Sequence, residues 1–166
     1  MMNYEMQPKP VLFSGLLADF PKEVRREAFE GIDVISSASL LRIKKLTPGK
    51  DLPNGWRVNK KGGKTYRIRE LFNSDERAYK PVALKSGKTT NLLEMMEYGT
   101  RPHEIVPVNA KALVFKVDGR LVRTKHVDHP GTRPYGFTAQ TYGEALRMIG
   151  QLQARLVSSL SKFGSK

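Results

Sequence analysis

Three histidines, His103, His126 and His129, are the only imidazoles in the chain, and His126-Val127-Asp128-His129 groups two of them with a carboxylate. Zinc and other divalent cations accept such ligands. In an extended segment, however, His126 and Asp128 point to one face and His129 to the other. A trio of His103, His126 and Asp128 is geometrically possible, but nothing in the spacing demands it, and histidines beside prolines in turns usually satisfy backbone groups. No metal, cofactor or catalytic residue is therefore expected. No serine–histidine pair, dinucleotide fingerprint or paired-carboxylate arrangement stands out either. With no cysteine, disulfides and thiolate ligands are excluded.

Phosphate chemistry is the next possibility. Lys85-Ser86-Gly87-Lys88-Thr89-Thr90 ends like a phosphate-binding loop but lacks the first glycine that such a loop requires. Its simplest reading is a basic loop. More suggestive is the run Arg57, Lys60, Lys61, Lys64, Arg67, Arg69, with Trp56 and Tyr66 interleaved. Cations alternating with rings suit a surface that tracks a phosphate backbone or meets an acidic protein. Trp56 could equally be a core anchor. The charge distribution gives this run weight: residues 41–88 hold 14 basic and 4 acidic side chains, a net +10 out of +13 for the whole chain. No recognition helix, zinc finger or RNA-binding aromatic motif accompanies it, so any nucleic-acid contact would be with the backbone rather than with base sequence.

These residues need elements to position them. Pro21, suited to a first helical turn, opens an amphipathic stretch with Val24, Ala28, Ile32, Ile35, Ile43 and Leu46 at helical spacing. Gly31 weakens its middle and permits a bend, and Pro48-Gly49 stops it. The punctuation that follows allows only short strands, at Trp56–Val58 and Thr65–Phe72, with Asn54-Gly55 and Gly62-Gly63 able to form tight turns. Leu113–Val117 and the run after Asp118-Gly119 read as a hairpin with one mostly apolar face and one mixed face. Thr141 and Glu144 can form a capping box, followed by a stripe of Leu146, Ile149, Leu152, Leu156, Leu160 and Phe163 along a C-terminal helix. The expected fold is α+β: an amphipathic helix at each end and a small, mostly antiparallel sheet between. The expected division is an N-terminal arm at 1–18 and a single domain at 19–166, with a basic loop insertion at about 73–95.

One four-residue phrase occurs twice. Gly99-Thr100-Arg101-Pro102 and Gly131-Thr132-Arg133-Pro134 lie 32 positions apart, each beside a histidine, and bracket the Asp-Gly hairpin. Antiparallel return of that hairpin could bring the two turns to one end of the sheet. Their arginines, His103 and His129, together with Tyr98 and Tyr135, are residue types suited to subunit contact.

The stretch Glu97–Phe137 resembles the head–tail joining proteins of long-tailed bacteriophages, also called neck, tail-completion or minor tail-component proteins. The resemblance rests on Glu97, Gly99, Thr100, Pro102-His103-Glu104-Ile105, Leu113-Val114-Phe115, His129-Pro130-Gly131-Thr132 and Phe137. It is looser elsewhere, and 73–95 departs from it as an enlarged loop. The resemblance implies a non-enzymatic structural protein of the virion, assembling as a homo-oligomeric ring, typically six-fold, at the head–tail interface. Its partners would be the head connector or head-completion protein and the tail terminator or tail tube, around a channel for DNA. Synthesis in the host cytoplasm is expected, since Met1–Pro10 lacks signal-peptide order and no apolar run approaches bilayer-spanning length. The other reading is a non-specific DNA-binding accessory protein acting through 41–88. A metal-dependent nuclease is third.

Overall fold

The computed structural model describes residues 20–64, 66–83, 87, 89–107 and 110–163. The expected arm at 1–18 lies outside the described residues, as do Thr65 and, within the basic loop, Lys85, Ser86 and Lys88. The fold class is α+β, with helices at both ends and small antiparallel sheets between. The chain groups into two compact units: residues up to Tyr79 together with those from Phe137 onward, and Lys80–Gly136.

In the first unit, α1 (Lys22–Leu46) follows Pro21, whose carbonyl accepts from the Arg25 amide at 3.0 Å. Glu23 in its first turn and Lys44 and Lys45 in its last complement the helix dipole. Its buried positions are Val24, Ala28, Gly31, Ser36, Ser39 and Ile43, so much of the inward stripe is small. That smallness has a use. Leu152 of the last helix, α5 (Phe137–Phe163), occupies the space where a Gly31 side chain would stand, and is itself only 1% exposed. Gly31 therefore seats a leucine from a neighbouring helix. The Ser159 hydroxyl, further along α5, donates to Glu27 at 2.8 Å, so the two helices run antiparallel.

The expected capping box is not the start of α5. The helix begins at Phe137, which is buried edge-on against Trp56 at 6.1 Å between ring centroids, and Thr141 lies inside it, its hydroxyl donating to the Phe137 carbonyl. Burial of Phe137 draws the helix start forward by a turn. Glu144 pairs instead with Arg147, one turn on.

Between the helices, α2 (Leu52–Gly55) leads into β1 (Trp56–Gly62), paired antiparallel with β2 (Arg67–Asn73) from Trp56↔Asn73 to Gly62↔Arg67. Asn54-Gly55 is thus a short helix rather than a hairpin turn. Gly55 lies so close to the Asn73 side chain that a Cβ would overlap it. Trp56, 6% exposed, donates from Nε1 to the Thr47 hydroxyl at 2.8 Å, and that hydroxyl donates to the Ile43 carbonyl. Trp56 is a core anchor joining α1, β1 and α5. A one-turn helix, α3 (Glu76–Tyr79), completes this unit, its Tyr79 hydroxyl accepting from the Asn73 amide.

In the second unit, β3 (Val82–Ala83) pairs with β4 (Thr89–Thr90), and α4 (Leu92–Tyr98) is capped by Asn91, whose side chain accepts from the Glu94 amide at 2.9 Å. The stretch expected to be an enlarged loop thus contains short elements. Next come β5 (His103–Ile105), β6 (Leu113–Val117), β7 (Arg120–Thr124) and β8 (Val127–His129). β6 pairs with β7, and β5 with β8, both antiparallel. Asp118 and Gly119, with φ of 50° and 80°, form the tight turn that their sequence predicts. The described ladders are all two-stranded.

Candidate functional site

The two Gly-Thr-Arg-Pro segments pair with each other. The Thr100 amide donates to the Thr132 carbonyl at 2.9 Å, the Thr132 amide donates back to Thr100 at 3.1 Å, and the Thr132 amide also reaches the Thr100 hydroxyl at 3.0 Å. Around this bridge the segments are related by a local two-fold. Gly99, at φ 72°, lies where a Cβ would strike the Thr132 carbonyl and the Arg133–Pro134 peptide. Gly131, at φ 85°, meets the Thr100 carbonyl and the Arg101–Pro102 peptide in the same way. Each glycine is required twice over, for its left-handed backbone and for the close approach of the opposite chain. The repeat is therefore a clasp, one half gripping the other.

Beyond the clasp, the pairing continues as a two-stranded ribbon. His103↔His129, Glu104↔Asp128 and Ile105↔Val127 come first, and a second ladder runs from Leu113↔Thr124 to Val117↔Arg120, with only residues 125 and 126 between the two on the returning side. The ribbon is an arm with the clasp at its base and Asp118-Gly119 at its tip. β6 and β7 pack chiefly on each other. Alternation along the strands sorts their side chains. Leu113, Phe115, Val117 and Val122 share one face; Val114, Lys116, Leu121 and Arg123 share the other. Both faces leave apolar groups in water: Val114 is 50% exposed, Val117 46% and Leu121 68%.

The six residues expected at a subunit contact all fall on this clasp and the base of the arm. Arg101 and Arg133 flank the bridge and are exposed, as are Tyr98 and Tyr135. The Tyr135 and Gly136 amides donate to the Met96 and Glu97 carbonyls, so the returning chain closes the end of α4. His103 and His129 face each other, ring centroids 5.0 Å apart. Carbonyl oxygens only accept and amides only donate, so His103 Nδ1 carries the proton it gives to the Arg101 carbonyl, and His129 Nδ1 accepts from the Gly131 amide. Each imidazole satisfies the backbone of its own turn. The geometry does not assemble the His103, His126, Asp128 trio, because Asp128 stands opposite Glu104, across the ribbon from the histidine pair. Among the described residues no group of three metal-ligating side chains forms.

The basic run lies on β1, β2 and their connection, and the structure divides it. Arg67 and Arg69 both donate to Asp33 of α1, Arg67 at 2.6 Å and Arg69 through Nε at 2.7 Å, and the Arg67 guanidinium lies 4.5 Å above the Phe29 ring. Lys61 pairs with Glu70 at 3.2 Å, and Asn59 donates to the same carboxylate. Arg57 is turned to the Asn54 and Trp56 carbonyls. Lys60 and Lys64 are exposed and form no ion pair among the described residues. Two of the six cations thus bind the strand pair to α1. Asp33, which makes this possible, carries no mark in the sequence that separates it from any other helical carboxylate. The mutual grip of Thr100 and Thr132, in contrast, was signalled by the repeat itself and by the hairpin between its halves.

No protein-family model, curated protein or solved structure matches this chain. Among the described residues no helix is long and apolar enough to cross a membrane.

Proposed function

We propose that this chain is a structural, non-enzymatic component of a bacteriophage neck, joining the head connector to the tail as a homo-oligomeric ring around the DNA channel. The observation that carries this reading is the arm. A two-stranded ribbon is marginal in water unless a third strand or another element covers it, yet here β6 and β7 expose apolar side chains on both faces and pair with no third strand among the described residues. Such a ribbon is suited to ordering on a neighbour, by edge pairing or by burial of its apolar face. The stretch that resembles the head–tail joining family, Glu97–Phe137, covers the clasp and the whole arm. Copies that associate through two different surfaces close into a ring when the rotation between neighbours divides a full turn.

The experiment is to image the purified chain, alone and mixed with candidate connector and tail-tube proteins encoded beside it. Rings that bind both are expected. A chain that stays monomeric and engages neither would overturn the reading.

A second reading, non-specific contact with DNA, is favoured by Lys60 and Lys64, which are exposed and form no ion pair among the described residues. It predicts duplex binding that weakens steeply with salt and falls when Lys60, Lys61 and Lys64 become glutamate. Arg67 and Arg69 are unsuited to that test because they hold α1. Absence of binding at low salt removes this reading.

A further inference from the structure

We infer that the tip of the arm docks on the base of the arm of a second copy, Lys116 and Arg123 of one chain facing Glu104 and Asp128 of the next. This rests on the ring reading and names the contact that builds the ring. Glu104 and Asp128 occupy directly opposed positions of an antiparallel ladder, where like charges repel. Both are exposed, and neither has a cation partner among the described residues, although the chain carries a net +13. Among the described residues no ion pair offsets that repulsion.

The tip has the opposite imbalance. Lys116 and Arg123 share a ribbon face with Val114 and Leu121, and no ion pair forms on that face among the described residues. Of its four side chains two are cationic and two are aliphatic, all exposed. A partner for this face must supply negative charge and remove Val114 and Leu121 from water. The carboxylate pair at the base of another arm supplies two negative charges, one from each strand, for the two cations that lie diagonally across the tip, one on each strand. Tip and base are different surfaces, so the contact is heterologous and each added copy presents a fresh tip and a fresh base, as a closing ring needs.

The test is charge reversal and its rescue. Sedimentation of the full chain compares wild type with E104K/D128K, with K116E/R123E and with the variant carrying all four changes. Each double variant is expected to associate roughly tenfold more weakly or worse. The fourfold variant, and an equimolar mixture of the two doubles, should recover association. Circular dichroism and melting identify any variant that fails to fold; in that case E104Q/D128Q and K116Q/R123Q replace the reversals, with weaker association expected in each. Wild-type association unchanged by either folded double variant, absence of rescue, or a wild type that is monomeric at every concentration overturns the inference. So does a tip reversal that abolishes binding to a duplex oligonucleotide while self-association persists, an outcome that assigns the tip to nucleic acid. Binding of wild type to connector and tail proteins is scored separately. Rings that join both yet ignore charge reversal would refute this contact and leave the neck reading standing. Charge-dependent association without connector binding would do the reverse.

Discussion

The chain contains two antiparallel strand pairs of similar chemistry and opposite circumstances. β1–β2 and β6–β7 are both rich in Lys and Arg, and both alternate these with apolar residues. The first lies against α1. Its Trp56 is buried, its Arg67 and Arg69 share the Asp33 carboxylate, and its Lys61 shares Glu70 with Asn59. The second packs chiefly on itself, its cations form no ion pair among the described residues, and Leu121 remains two-thirds exposed. Strand composition alone therefore does not make a basic interaction surface. What decides is whether another element is there to use the cations, and in β1–β2 it is. The richest basic block of the sequence is partly consumed by the fold, while the sparser cations of the arm remain available.

This contrast can be broken from either side. The largest effect is expected in the covered unit: Leu152→Ala removes the side chain that fills the space at Gly31, at a cost of roughly 2–5 kcal/mol, read as a lower denaturant midpoint. Next is the clasp. Gly131→Ala puts a Cβ against the Thr100 carbonyl in a left-handed backbone, costing roughly 1–3 kcal/mol. Amide exchange should then quicken at Thr100 and Thr132 while protection in α1 is retained. Asp33→Ala comes third. It leaves Arg67 and Arg69 without their carboxylate, and because Asp33 is itself more than one-third exposed the cost is discounted to about 1 kcal/mol. The same change should raise DNA affinity at low salt if freed arginines matter, which sharpens the comparison directly.

The smallest effect is one of pH. The Arg77 side chain donates to Asp75 and holds its carboxyl below the ordinary value, and the same bond raises the Arg77 guanidinium. A carboxylate lowered in the folded state stabilises above its unfolded pKa and loses that contribution as pH falls through its folded value. A slight loss of stability is therefore expected below about pH 4, and Asp75→Asn should abolish that part of the acid dependence.

Much of the architecture was legible. The 3.6-residue spacing of Val24, Ala28 and Ile43 marks α1, that of Leu152, Leu156 and Leu160 marks α5, and Asp118-Gly119 marks the tip of the arm. What escaped was set by contacts between residues far apart in sequence. Gly31 reads as a weak point in a helix until Leu152 is placed on it. Asn54-Gly55 reads as a hairpin turn, but its glycine is held against Asn73 in a short helix. Thr141 and Glu144 fit a capping box, yet burial of Phe137 starts the helix a turn earlier. The union of Asp33 with Arg67 and Arg69 spans 34 and 36 residues, and no local pattern announces it. The pairing of the two Gly-Thr-Arg-Pro segments is different, because a short repeat bracketing one hairpin is itself long-range information.

The most direct measurement is the mass of the full chain in solution beside that of a chain whose residues 113–124 are replaced by a short glycine–serine turn. Rings are expected for the first, and for the second a folded monomer with unchanged melting of the helical unit. Equal assembly by both chains, or none by the intact one, would contradict the ring reading.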